Sequence, residues 1–169
     1  MKRVNGFLFI VFVMLLLSGC SAKKIEKVAS SEHLGYTIES IKNDFSLDDF
    51  ELAGESKTGN EIVFSNPQGH IIRFASYAEE SPYTDFILIA SPNREDLFSY
   101  LEKMNKFMEI YEKEDGEQIK DLCNTQDKDL DQLSGRRQVI GDISYRFNMV
   151  AGAKNTYSLQ LARPRDNSK

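Results

Sequence analysis

Ile143, Tyr145, Phe147 and Met149 alternate with Ser144, Arg146 and Asn148, and Tyr157, Leu159 and Leu161 alternate with Ser158, Gln160 and Ala162. A period of two sends successive side chains to opposite faces of a pleated strand, so both stretches are expected as strands with one face in water. Gly152 to Asn155 supplies the turn between them. Earlier in the chain, Phe50 to Glu55, Glu61 to Ser65 and His70 to Ala78 read as strands of a meander, joined by Lys57-Thr58-Gly59 and Asn66-Pro67-Gln68-Gly69. The second turn is the sharpest hairpin signal, because proline presets φ at the first corner and glycine accepts the left-handed conformation. Thr84 to Ala90 is almost wholly apolar from Phe86 onward, the pattern of a central strand buried on both faces.

Helical spacing appears in two regions. Ile38, Ile41 and Phe45 predict a short helix within Tyr36 to Phe45. Leu97, Leu101, Met104, Met108 and Tyr111 step by four and three, and Phe98 and Phe107 widen the stripe. Ser91-Pro92 is the expected start of this longest helix, with Glu95 and Asp96 at its positive end and Gly116 as its stop. A further helix is expected from Gln118 to about Asn124, followed by a polar connection from Asp127 to Ser134. Strands and helices in blocks indicate an α+β fold. The expectation is a mainly antiparallel sheet of about six strands, two hairpins plus additional strands, packed against one long helix and one or two short ones.

The start of the chain follows a different rule. Lys2 and Arg3 precede an uninterrupted apolar run of eleven residues, Phe7 to Leu17. A spanning helix needs roughly 17–25 apolar residues, so this run reads as the core of a secretory signal peptide. Its end, Leu17-Ser18-Gly19-Cys20, resembles the lipobox of bacterial lipoproteins. The resemblance covers residues 1–20 only. It implies that residues 1–19 are removed and that Cys20 becomes a diacylated N-terminus, held to the lipid bilayer by its acyl chains. Two such chains anchor stably where one does so only marginally. Residues 20–33 then form the lipidated cysteine and a flexible tether, 34–165 a single α+β domain, and 166–169 a disordered tail. Thirteen tether residues, 21–33, span at most ~45 Å when fully extended. Ser21 after the cysteine looks like an outer-membrane, periplasm-facing destination in a double-membraned organism. In a single-membraned one the protein sits on the outer face of the plasma membrane.

Without the leader 150 residues remain, enough for one core. Its two basic residues leave with it, taking the formal net charge from −5 to −7. A mildly acidic chain is not an evident nucleic-acid binder, because phosphate contacts need clustered Lys and Arg. Cys123 is then the only cysteine besides Cys20, so no internal disulfide forms. It follows Ile119 and Leu122 on one helical face, where a thiol acts as a small apolar group.

Candidate chemistry is thin. Asp127, Asp129 and Asp131 alternate as in the first half of a calcium-binding EF-hand loop. Gln132 stands where that loop needs glycine and Gln138 where it needs the bidentate glutamate, which leaves these three as weak calcium candidates. Asp44, Asp48, Asp49 and Glu51 form a second acidic cluster, expected as loop and cap residues. His33 and His70 are isolated, with no zinc-ligand spacing, and His70 is expected to be exposed beside its turn. No G-x-S-x-G, C-x-x-C or glycine-rich phosphate loop occurs, although a Ser-His-Asp set can still assemble in space. Arg136, Arg137, Arg146, Lys154, Arg163 and Arg165 gather around the last hairpin of an acidic chain. Such asymmetry can steer an acidic partner, although a solvated face is the simpler reading. Tyr77, Tyr83 and Tyr157 are candidates for a contact surface.

The chain is therefore expected to be a non-catalytic envelope lipoprotein without a cofactor, whose domain binds another envelope protein. One alternative is an inhibitor or immunity-type lipoprotein that neutralises an envelope-acting toxin. The other is a small envelope hydrolase using acids between Asp44 and Glu51, or Cys123 as nucleophile.

Overall fold

Turn chemistry and caps set the elements. The computed structural model describes residues 24–47, 49–131, 134–151 and 155–164. The Thr37 hydroxyl accepts the Ser40 N–H and caps α1 (Ile38–Asp44), which buries Ile38 and Ile41. Four strands follow: β1 (Glu51–Glu55), β2 (Glu61–Ser65), β3 (Ile71–Ala75) and β4 (Phe86–Ser91). Asn93 caps α2 (Arg94–Met108) through the Glu95 N–H. Next come α3 (Gly116–Cys123), β5 (Arg136–Ile140), β6 (Ile143–Val150) and β7 (Thr156–Ala162).

All strands lie in one antiparallel sheet of order β1-β2-β3-β4-β7-β6-β5. The last hairpin inserts β7 beside β4, which fuses the two strand blocks and places β4 at the centre. Across the seam, Ile72, Ile89, Leu159 and Phe147 stand in register, as do Phe74, Ile87, Leu161 and Tyr145. These eight side chains are buried under the helical layer. Onto them α2 lowers Leu97, Leu101, Met104 and Met108, all of them buried. Each such side chain contributes ~1.5–3 kcal/mol on burial.

The fold is α+β as expected, but the sheet has seven strands rather than six. The additional strand is β5, whose first four residues are exposed and only Ile140 buried, so no alternation marks it. It joins β6 through Gly141 and Asp142, with Gly141 at φ 59. A positive φ at the first corner is what a two-residue type II′ hairpin requires. The long helix starts one cap later and stops earlier than its stripe suggests. Its C-cap is Glu109 at φ 47, and the Asn105 side chain bonds both backbone groups of Tyr111, at 3.0 and 3.2 Å, and turns the chain aside. Gly116 instead begins α3.

Strand β4 alternates between buried and half-buried, so one of its faces stays partly open. At the other end of the chain, Ile25 is buried and its N–H donates to the Phe107 carbonyl. The Val28 N–H donates to Gly35, and Lys24 pairs with Glu109. Residues 24–28, within the stretch read as tether, thus lie packed on the domain. No helix among the described residues is long and apolar enough to cross a membrane. The leader and Cys20 fall outside the described residues.

Candidate functional site

Because all helices stack on one side, the period-two partners of the core residues face the other way. One row on that open face runs Val63, Arg73, Leu88, Gln160, Arg146 and Arg137 from β2 to β5. Beside it runs a second row of Glu61, Ala75, Phe86, Ala162, Ser144 and Val139, its one acid at the β2 end. The face is thus apolar in patches and basic in patches. A groove of about 540 Å³ crosses it, lined by Arg137, Arg146 and Arg163 with Tyr77, Ser144 and Gln160. No carboxylate among the described residues lines it, in a chain of net charge −5.

The three arginines are fixed by their inner nitrogens. Arg137 Nε donates to Ser144 Oγ at 2.8 Å, and Arg146 Nε donates to the Ser134 carbonyl at 2.6 Å. Arg163 Nε donates to the His33 carbonyl at 3.3 Å while its terminal nitrogen pairs with Asp142. Holding Nε orients a guanidinium plane, and a planar fork suits carboxylate oxygens two at a time. Arg137 has no carboxylate partner among the described residues. At the groove's end Tyr77 is 48% exposed, its ring 5.1 Å from Phe86. Arg73, paired with Glu61, lies over the Phe86 ring at 5.4 Å. The arrangement provides cations beside aromatic and aliphatic surface.

A Ser-His-Asp set does assemble elsewhere. His70 Nδ1 lies 2.9 Å from Ser91 Oγ, and His70 Nε2 lies 3.4 Å from Asp96 Oδ2. Its environment argues for a structural role. His70 is 5% exposed and Ser91 0%, so no substrate reaches the hydroxyl. That hydroxyl donates to the Asn93 carbonyl at 2.5 Å and accepts the Asn93 N–H at 2.9 Å, which holds the start of α2. The expectation that His70 is exposed fails because Asn66 Oδ1 captures the His70 N–H at 3.0 Å, folding the ring inward against Tyr100.

The remaining candidates disperse. Asp127 accepts from Arg94 at 3.1 Å and from the Tyr157 hydroxyl at 3.2 Å, while Asp131 accepts the Ser134 N–H at 3.4 Å. Asp129 closes an exposed 3-10 turn. Among the described residues no group of three His, Cys, Asp or Glu side chains converges to hold a metal ion. Asp44 ends α1, Asp49 sits at φ 64 in a turn and Glu51 opens β1; Asp48 falls outside the described residues. Cys123 is buried, and desolvation pushes its thiol up to about 12. His33 stacks on Tyr83 with centroids 4.1 Å apart.

Of the basic cluster, the structure brings Arg137, Arg146 and Arg163 together. Arg136 falls on the other face, opposite Phe147, while Lys154 and Arg165 lie outside the described residues. Sequence reasoning did not single out Ser144, Gln160 or Arg73 as partners of the arginines. For Ser144 and Gln160 the signal was their polar place in the period-two strands. No protein-family model, curated protein or solved structure matches the chain.

Proposed function

We propose that the chain is a non-catalytic envelope lipoprotein that holds an acidic segment of another envelope protein on the open face of its sheet. The observation that carries this reading is a groove lined by three arginines and, among the described residues, by no carboxylate, in a chain of net charge −5. Charge complementarity of this kind speeds encounter and selects partners more than it adds affinity. The inaccessible Ser91 and Cys123 support a binding role over a hydrolytic one. The lipobox supports attachment through Cys20. Lys24, which pairs with Glu109, stands four residues after Cys20, and four residues reach at most about 14 Å. That end of the domain, with Glu109 and Asp142, therefore sits close to the lipid.

Two experiments test the two parts. Radiolabelled palmitate is incorporated into the wild-type chain and lost in Cys20→Ala; equal labelling of both ends the anchor reading. Affinity capture from envelope extracts with the full chain recovers an acidic protein that Arg137→Glu fails to hold. If Arg137→Glu retains it equally, the groove is not the binding site.

A further inference from the structure

The sheet ends in two edge strands, and they differ. Edge β1 carries an irregularity between Leu52 and Gly54 in its pairing with β2, the kind of bulge that blunts an edge against further strands. Edge β5 has none: its residues pair with β6 without interruption from Arg136 opposite Phe147 to Ile140 opposite Ile143. The two-residue loop at Gly141 and Asp142 makes Ile140 and Ile143 a hydrogen-bonded pair. Alternation then commits Arg136, Gln138 and Ile140 to the ladder with β6. The N–H and C=O groups of Arg137 and Val139 point out of the sheet edge, and no backbone bond from a loop or cap reaches them among the described residues. Their side chains belong to the open face, where Arg137 lines the groove and Val139 is 53% exposed.

We propose that the partner segment binds as an eighth strand on β5, hydrogen-bonded to the outward groups of Arg137 and Val139. This rests on the reading of the open face as a site for an acidic partner, and adds its mode and pattern. Residues directly opposite in neighbouring strands stand ~5 Å apart, so the partner places a carboxylate against Arg137 and, two positions on, an apolar residue against Val139. The recognised segment is extended, and on the face it turns to Arg137 and Val139 acidic and apolar side chains alternate at every second residue. A second copy of this chain fits less well, since pairing β5 with itself gathers Arg136 and Arg137 of both copies on one ribbon without a carboxylate.

Val139→Pro separates this inference from the reading beneath it. Proline deletes the outward N–H and projects its ring from the edge, yet removes no ladder bond to β6 and changes no charge. The probe is a fluorescent peptide repeating Glu-Thr-Val-Thr, which sets Glu and Val two positions apart on one face, titrated by anisotropy against the full chain in detergent. Strand addition predicts that Val139→Pro weakens binding roughly tenfold or more, with melting and circular dichroism unchanged. It also predicts a similar loss when the peptide is N-methylated at alternate backbone nitrogens, a measurement that needs no protein variant. If Val139→Pro and the N-methylated peptide bind as well as their parents while Arg137→Glu loses binding, strand addition is wrong and the acidic-partner reading stands. If Arg137→Glu also binds normally, both fall. A dimer of the full chain in sedimentation that Val139→Pro dissolves would overturn the proposal, because a second copy would then occupy the edge.

Discussion

Replacing Ser91 by alanine removes one oxygen from a point where three segments meet: the turn before β3, the end of β4 and the cap of α2. Ser91 Oγ lies 2.5 Å from the Asn93 carbonyl, 2.9 Å from the Asn93 N–H and 2.9 Å from His70 Nδ1. Ser91 and His70 are buried, so water does not replace the lost partner of the imidazole at no cost, whereas Asn93 is exposed and its backbone groups can turn to water. The His70 ring nitrogen is stranded at ~1–3 kcal/mol. With the loosened helix start the loss comes to about 2 kcal/mol. For a chain of this size that is a fall in melting temperature of roughly 4–8 °C. The assay is thermal unfolding by circular dichroism, with urea titration giving the free energy directly. A double-mutant cycle with His70→Leu should show that the losses do not add, because both variants break one shared network. Melting of Ser91→Ala within about 1 °C of wild type would refute the assignment of Ser91 as a buried bolt. Labelling of Ser91 in the native protein by a fluorophosphonate would refute its inaccessibility.

Three other outcomes follow from the same structure. Burial raises Cys123 from 9.0 to about 12 and Tyr111 from 10.0 to about 12, so the unfolded chain releases these protons first as pH rises. Their contribution to stability is complete below about pH 9 and is lost as pH climbs toward about 12, which urea midpoints across that range will show; a thiol reagent should modify Cys123 only after unfolding. Gly135 sits at φ 61, and a Cβ there would lie 1.7 Å from Asn148 Oδ1 and 2.6 Å from the Phe147 carbonyl. Gly135→Ala should therefore displace the start of β5, lower stability by ~1–3 kcal/mol and weaken peptide binding; unchanged melting and binding would refute it. Ile25→Asp should detach residues 24–28, speeding exchange of the Ile25 and Val28 amides while core-strand amides stay protected. Equal acceleration throughout the sheet would show that this segment supports the whole fold.

Alternation in β6 and β7, the stripe on α2 and the Asn66-Pro67-Gln68-Gly69 turn were legible because each repeats a local geometric period. They determine which side chains enter a core and therefore the α+β class. Burial of Cys123 was legible for the same reason. Strand β5 was not, because four of its five residues are exposed and leave no period to read. Nor was the end of α2, where one asparagine bonding Tyr111 overrides a continuous apolar stripe.

The basic residues near the chain's end show the division most clearly. Their concentration is a fact of sequence. Which of them act together was decided by strand parity: Arg137 and Arg146 share the open face, while Arg136, one residue away, turns to the opposite face. Insertion of β7 beside β4 then carried that hairpin to Tyr77 and Phe86, far away in the chain. A hydrophobic period reports that a face is covered, without naming the neighbour that covers it. Sequence alone therefore determined the layers and the lipobox resemblance at Cys20. The groove, the open edge and the buried His70 required tertiary structure, because each depends on pairing between segments that no local pattern connects.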